Sequence, residues 1–189
     1  MKRIIGIALG LAIVLGLPAA TFASGHEAKA KAYFEKSIKG WISAPDLVNA
    51  VVQQNINHIG LTAQDVAHLD FRWRQEKARG GGDLMDSKLK NHLASFLRGI
   101  RAASNGIIVE IFVMDNIGLN VGQTDPTGDY MQGDEAKWKK TYRMGPQGLL
   151  IDDVEEEDGK NISQLSASIV NEKGREVGAV TIAINVDKL

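Results

Sequence analysis

The sequence contains no cysteine. This absence excludes disulfide bonds, thiolate nucleophiles, and zinc or iron–sulfur centres held by cysteine. The fold must therefore be held together by the packing of its side chains. A chain of 189 residues has the length of one ordinary domain with a hydrophobic core, and one domain is expected.

Catalytic and cofactor motifs are also missing. No GxSxG elbow, paired-carboxylate motif or nucleotide fingerprint occurs, and no two of the four histidines form an HExxH zinc motif. The remaining nucleophiles are ordinary hydroxyl groups. The sequence therefore predicts a protein that is not an enzyme and has no cofactor and no metal site. A secreted hydrolase of unrecognised type remains the alternative, because catalytic groups meet in space rather than in sequence.

Only one long apolar run occurs, and it lies at the N-terminus. Lys2 and Arg3 precede "IIGIALGLAIVLGLPAA", and the small residues Thr21 and Ala23 follow it. This pattern is typical of a cleaved secretory signal peptide over residues 1–23 and predicts a periplasmic protein. Cleavage removes two cations and no acid, so the formal net charge changes from -1 to -3. Such a charge does not favour binding to nucleic acid.

The pattern of residues 24–105 is helical. "HEAKAKAYFEKSIKGWI" favours a helix, and a second helix is predicted between Ser43 and Gly60. The pair Thr62 and Asp65 predicts the start of a third helix, which ends at the glycines 80–82. A single fourth helix is predicted over 84–106 from the spacing of its apolar residues.

Residues 106–189 change to the period of strands. "GIIVEIFVMD" and "LNVGQT" predict a hairpin whose turn uses Asp115, Asn116 and Gly118. "GLLIDD" is a short predicted strand, and "ISQLSASIV" and "EVGAVTIAINV" predict a second hairpin. In the last strand, the residues that share one face are predicted to lie on the core: Val180, Ile182, Ile184 and Val186. Helices followed by mostly antiparallel strands indicate an α+β fold that uses 24–105 and 106–189 together as one domain.

Two segments concentrate polar and aromatic residues. Residues 125–142, "DPTGDYMQGDEAKWKKTY", carry tyrosines, a tryptophan, acids and glycines, and this density suggests the wall of a small-molecule site. Residues 152–158 form an acidic run that we interpret as a solvated loop, with a hard-cation site as the alternative.

These motifs carry a resemblance. "IFVMDNIGLNV" together with the closing "GAVTIAINVDKL" resembles the extracytoplasmic PAS-like sensor domains called Cache or PDC domains. The segment from 124 to 142 is similar to a subgroup with "TSDYWQGDEAKW", although Met131 stands in place of Trp and Gly128 in place of Ser. Asp70 and Trp73 match an "LDxxW" pattern of similar domains, where their role is structural.

The resemblance implies a ligand between the central sheet and the segment that links its second and third strands. The implied ligand-binding residues are Asp129, Tyr130, Gln132, Asp134, Trp138 and Tyr142. An amine would use Asp129 or Asp134, and a carboxylate would use Lys137 or Arg143. The alternative for Trp138 and Tyr142 is simple packing onto the sheet, because residues four apart share one face of a helix.

The resemblance also implies partners. The expected ligand is a small polar molecule (an amino acid, organic acid or amine). The expected protein partner is a membrane histidine kinase or chemoreceptor, because no second long apolar run follows the sensor. The helical lead could form a homodimer, as it does in related receptors. The alternative function is a ligand-free interaction module that docks on a membrane receptor.

Overall fold

The structure, a computed structural model, describes residues 25–189. The predicted signal peptide lies outside these residues. The first half of the described chain is helical, as predicted. Its helices are α1 (Gly25–Tyr33), α2 (Lys39–Ile42), α3 (Pro45–Asn57), α4 (Ala63–Ala78), α5 (Asp83–Leu89) and α6 (His92–Ala103). A π-helical turn, Phe34–Ile38, joins α1 to α2.

The start of α4 follows the predicted cap. The Thr62 hydroxyl accepts a hydrogen bond from the Asp65 amide at 3.2 Å, and the Asp65 carboxylate accepts one from the Thr62 amide at 2.9 Å. This reciprocal pair satisfies two amides that the helix itself leaves without partners. The helix gives way to Gly80, whose φ of 83° is the left-handed conformation that glycine adopts without strain.

The prediction of one helix over 84–106 is wrong. The chain forms α5 and α6 instead, with a break at Asn91. The Asn91 side chain accepts a hydrogen bond from the Ala94 amide at 2.8 Å and donates one to the Val121 carbonyl at 2.8 Å. Asparagine is a favoured helix N-cap, so the residue starts a new helix while it ties that helix to the sheet.

The second half forms one antiparallel sheet, which confirms the predicted α+β class. The strands are β1 (Ile108–Met114), β2 (Asn120–Gln123), β3 (Leu149–Ile151), β4 (Glu155–Glu157), β5 (Lys160–Val170) and β6 (Glu176–Asn185). Their order is β2-β1-β6-β5-β3, and β4 pairs with β5. The acidic run is therefore partly a strand. Its carboxylates Glu155, Glu156 and Glu157 are exposed, so the run is solvated as predicted, but only residues 152–154 and the turn at 158 are a loop.

The two faces of the sheet have different coverings. One face carries Val180, Ile182 and Ile184, which are fully buried in a core with the N-terminal helices, and Val186 packs against that core. The other face carries Phe112, Met114 and Ala179, and Trp138 packs on them from the short helix α7 (Ala136–Lys139). Among residues 25–189, the segment between β2 and β3, which includes α7, provides the cover of this cluster.

Candidate functional site

The segment 125–142 is fixed over the outer face of the sheet by backbone contacts. The Asp70 carboxylate accepts hydrogen bonds from the amides of Tyr130 and Met131 at 2.9 and 3.1 Å. The Gln132 amide donates to the Gly118 carbonyl at 2.8 Å. Asp70 therefore has the structural role that the resemblance implied, and it holds the segment from the side of α4.

Close backbone contact at two glycines brings the segment against the β1–β2 hairpin. A Cβ on Gly133 would lie 2.4 Å from the carbonyl oxygen of Ile117, and a Cβ on Gly118 would lie 2.2 Å from the Cα of Gly133. Gly118 also has a φ of 90°. Only glycine permits this approach, which places the following residues at the edge of the sheet.

Tyr130, one of the predicted ligand residues, is part of a packed layer. Its side chain is 1% exposed and stacks on Trp73, with ring centroids 5.5 Å apart. Burial raises the pKa of Tyr130. Met131 packs against the same cluster. Trp73 is fully buried, as expected for a structural residue.

Trp138 and Tyr142 stack on one another at 4.8 Å, which agrees with the packing alternative for this pair. The Trp138 indole N–H donates to the Asp115 carbonyl at 3.1 Å, so its polar edge already has a partner. Arg143, considered as a carboxylate ligand, lies 5.4 Å from the Tyr142 ring. Tyr130, Trp138 and Tyr142 are thus packed against other aromatic rings, and we call these three residues the frame of the segment.

Between the segment 125–142 and the sheet lies a groove, which we define as two adjoining cavities of about 350 and 270 Å³. The cavities share Glu135, Lys137 and Gln164 as a common wall. Asp129, Gln132 and Gly128 line the smaller cavity. Of the six predicted ligand residues, the structure therefore brings Asp129 and Gln132 into the groove. Asp134 is exposed outside it, and ligand contact by any of the six stays a prediction.

Lys137 is the cation of the groove. Its side chain is 16% exposed, and Nζ lies 2.9 Å from the Glu135 carboxylate. The same Nζ donates to the Gln132 side-chain oxygen at 3.5 Å and lies 5.2 Å from the centre of the Phe112 ring. This lysine is therefore held by a carboxylate, an amide and an aromatic face.

Glu110 lies on the floor of the smaller cavity and has no partner. It is partly buried on β1, and within residues 25–189 its carboxylate accepts no hydrogen bond and forms no ion pair. Burial raises the pKa of Glu110, and the nearby Asp125 raises it further. Asp129 on the opposite wall accepts a hydrogen bond from the Gln132 side chain, and burial, followed by the charge of Glu135, raises the pKa of Asp129.

Sequence reasoning missed Glu110 and Gln164. The strand register explains why they belong together: both lie opposite Ala183, Glu110 from β1 and Gln164 from β5. They are far apart in the sequence, so no local motif joins them. The available signal was an acid within the apolar run "IVEIFVM", at a position where a strand that packs on both faces has no need for charge.

Asp115 forms the junction between the groove frame and the helices. One carboxylate oxygen accepts the amides of Ile117 and Leu119 at 2.9 Å, which confirms its predicted role in the hairpin turn. The other accepts the Gln54 side-chain N–H at 2.9 Å and lies 2.7 Å from His58 Nδ1. Asp115 is fully buried. We call Asp115 with Gln54 and His58 the Asp115 junction.

A larger cavity of about 460 Å³ lies elsewhere, between the start of α3 and the β5–β6 turn. Its charged residues are Glu172, Lys173 and Arg175, all exposed to water. Solvated charges on a turn have little need for a ligand, because water satisfies them. We therefore assign the candidate site to the groove, where Glu110, Asp129 and Lys137 are partly buried, rather than to this larger cavity.

No group of three or more acidic or histidine side chains suited to a metal ion occurs within residues 25–189. In the same part of the chain, every helix is too short or too polar to cross a membrane.

Comparisons with known proteins give matches at the level of structure only. No family model matches the chain, and no curated protein matches it. The ligand-binding domain of the Campylobacter jejuni chemoreceptor Tlp3 in complex with L-valine is 11% identical, with a TM-score of 0.37, over 84% of this chain and 63% of that one. The sensory domain of the same chemoreceptor with isoleucine bound is 10% identical, with a TM-score of 0.39 and the same coverage of both chains.

A third match is the extracellular ligand binding receptor from Desulfohalobium retbaense, 14% identical with a TM-score of 0.38 over 73% of this chain and 25% of that one. These matches are ligand-binding or sensory parts of receptors, the class that the resemblance in sequence indicates. The chain spans less than two thirds of the length of each of the three. At these TM-scores the matches carry no argument about ligand or mechanism, which must come from the groove itself.

Proposed function

We propose that this protein is an extracytoplasmic sensor or accessory domain that binds a small polar molecule in the groove and signals through a partner protein. The observation that carries the proposal is a partly buried carboxylate, Glu110, that faces the groove without a partner. A folded protein ordinarily pairs its buried charge, so an unpaired one in a cavity is a candidate binding group.

The position and size of the groove support the same function. It lies between the sheet and the segment that links β2 to β3, where the resemblance implies a ligand. Cavities of about 350 and 270 Å³ suit a molecule of the size of an amino acid. Phe112 provides an apolar surface, while Gln132 and Gln164 provide amide groups that can fix the orientation of a ligand.

A physical route leads from the groove to the helices. Trp138 follows the groove residue Lys137 directly and donates to the backbone of Asp115. The Asp115 carboxylate in turn holds Gln54 and His58, at the end of α3. A ligand that displaces α7 would therefore act on the α3 end of the helical layer, and this layer is the surface that we assign to the partner protein.

A direct test is a thermal-shift screen of the protein expressed from its full coding sequence and purified from the periplasm. The screen covers amino acids, organic acids, amines and divalent metal ions. A ligand at a hundredfold excess over its dissociation constant should stabilise the folded state by about 2.7 kcal/mol, which such a screen detects. A shift that disappears in Asp129→Asn but persists in Asp134→Asn would place binding in the groove.

The matching control is Glu156→Gln. Glu156 lies between Glu155 and Glu157 on β4, and those two neighbours line the groove while Glu156 does not. This variant should keep the full shift. A screen with no shift for any class would contradict the proposed function.

The second candidate, a ligand-free module that docks on a membrane receptor, is favoured by one observation. Ile59 beyond the end of α3 is 81% exposed, and Phe71 on α4 is 56% exposed. Capture of a membrane receptor that persists in Glu110→Gln and is lost in Ile59→Asp, together with a flat ligand screen, would favour this function over the first.

A further inference from the structure

The groove has a strong excess of negative charge. Lys137 is the cation that lines it, and this lysine already pairs with Glu135 at 2.9 Å. Glu110 and Asp129 line the smaller cavity and form no ion pair within residues 25–189, although the charge of Lys137 acts on both and opposes the rise in their pKa. The groove cavity of about 350 Å³ adds the half-buried Asp152 and three solvent-exposed carboxylates, Asp153, Glu155 and Glu157.

Among these carboxylates, Glu110 loses the most free energy of hydration, because it is the most deeply buried on the sheet. It lies on the sheet beside Phe112 rather than on the surface, and loss of hydration disfavours an ionised carboxylate. An ammonium group that enters the smaller cavity would pair with it and restore part of the lost hydration energy. An anionic group in the same place would meet carboxylates on several walls, and the one lysine there is already engaged.

A second polar group on the same face also lacks a partner. Gln123 lies opposite Phe112 in the β1–β2 pairing, so both side chains project from one face of the sheet. Gln123 is fully buried, its Oε1 lies 3.5 Å from the Thr127 hydroxyl, and its side-chain N–H₂ group has no acceptor. Thr127 lines the smaller cavity. Gln123 itself lines neither cavity, so its unpaired N–H₂ group is a property of the sheet face beside the groove and is not a ligand contact.

The geometry favours an organic cation over a metal ion. A hard metal ion needs several oxygen ligands that converge on one point. No such group of three or more acidic or histidine side chains exists among residues 25–189, although many carboxylates line the groove. Carboxylates spread along two joined cavities are better matched by a molecule with one or more ammonium groups along its length.

This inference deepens the proposed function and rests on it. We propose that the ligand is a small organic cation with a primary ammonium group, of the class of aliphatic diamines and basic amino acids, and that Glu110 pairs with that ammonium group.

The test is isothermal titration calorimetry of the purified periplasmic protein with a pair of probes of equal chain length and opposite charge. Cadaverine carries two ammonium groups on a five-carbon chain, and glutarate carries two carboxylates. Cadaverine or lysine should bind, and glutarate should not. The variant Glu110→Gln should weaken binding of the cation roughly tenfold or more, because it removes a charge-assisted hydrogen bond.

Glu110→Gln keeps the shape of the side chain and removes a buried charge, so the variant is expected to fold, and its thermal melt verifies this. Glu156→Gln makes the same change of charge on β4, which pairs with β5, and should bind as tightly as the wild type because Glu156 does not line the groove. Cadaverine affinity that is equal in wild type and Glu110→Gln would overturn the assignment of Glu110.

The remaining outcomes separate this inference from the proposed function. Binding of glutarate or of a neutral amino acid in the groove, without binding of any cationic probe, would overturn the ligand class and leave the sensor function standing. Binding of Ca²⁺ or Mg²⁺ alone would do the same. No binding by any class would contradict both.

Discussion

Two carboxylates on neighbouring parts of the β1–β2 hairpin have opposite surroundings. Asp115 is fully buried, and its two oxygens take two backbone amides, the Gln54 side chain and the His58 ring. Glu110, five residues earlier in the sequence, is partly buried at the edge of a cavity and contacts no partner within residues 25–189. The first arrangement stabilises the fold, whereas a partly buried carboxylate without a hydrogen bond costs stability, and we propose that a ligand offsets this cost.

The comparison teaches how to separate structural charge from binding charge in this molecule. Both residues are acids on one hairpin, and their residue type does not distinguish them. What distinguishes them is the number of carboxylate oxygens that accept a hydrogen bond from the protein. The aromatic cluster follows the same rule: Trp138 has its indole N–H paired with the Asp115 carbonyl and stacks on Tyr142, so these rings belong to the frame.

The largest expected effect on stability comes from a substitution of Asp115. Asp115→Ala should lower the free energy of unfolding by roughly 3 kcal/mol or more, because it leaves the amides of Ile117 and Leu119 without their acceptor and removes the carboxylate that holds Gln54 and His58. Urea unfolding followed by circular dichroism measures this change. A loss below about 1 kcal/mol would show that the junction does not support the fold as we describe.

An intermediate effect is expected where the segment meets the hairpin. Gly133→Ala should destabilise the protein by about 2 kcal/mol, since its Cβ would lie 2.4 Å from the Ile117 carbonyl oxygen. Thermal unfolding monitored by Trp fluorescence reports this loss. Gly128→Ala is the control, because no atom lies within 4 Å of a Cβ at that position. Equal stability of the two variants would mean that the close contact is not needed.

The smallest effect concerns Glu110 and has the opposite sign. Its folded-state pKa is raised, chiefly by burial, so its contribution to stability is complete below the unfolded pKa and is lost as pH rises through the folded value. The charged groups that face it are Asp125 and Glu157, which raise its pKa, and Lys137 and Lys77, which lower it.

Glu110→Gln should therefore be more stable than the wild type at pH 7, by less than about 1 kcal/mol, and this gain should vanish near pH 4. Urea unfolding at the two pH values gives the difference. A variant that is less stable than the wild type at pH 7 would show that Glu110 has a stabilising partner in the fold.

The sequence predicts the elements of this fold well where one local rule decides them. The capping pair Thr62 and Asp65 starts a helix, and the Asp115 turn closes a hairpin, because both depend on neighbours in the chain. The break at Asn91 could not be seen, since part of its cause is a hydrogen bond to Val121 on a strand that follows later. Likewise, the β4 strand depends on pairing with β5, which overrides the high charge of the run.

The candidate site is harder to predict from the sequence, because it too depends on contacts between residues that are far apart in the chain. The segment 125–142 was correctly placed over the sheet, and Asp129 and Gln132 do line the groove. The aromatic residues of the segment do not line the groove, because they stack on other rings: Tyr130 on Trp73, and Trp138 on Tyr142. The floor of the groove is set by strand register across β1, β6 and β5, which brings Glu110 and Gln164 to either side of Ala183.

The most direct test of the central claim is an NMR titration of the ¹⁵N-labelled protein with cadaverine. The account predicts shifts in the amide signals of Glu110, Lys137 and Gln164 that saturate together. The amide signals of Glu172 and Lys173, which line the separate cavity of about 460 Å³ outside the groove, should change little. Saturable shifts confined to Glu172 and Lys173, with Glu110 and Gln164 unchanged, would contradict the account by placing the ligand outside the groove.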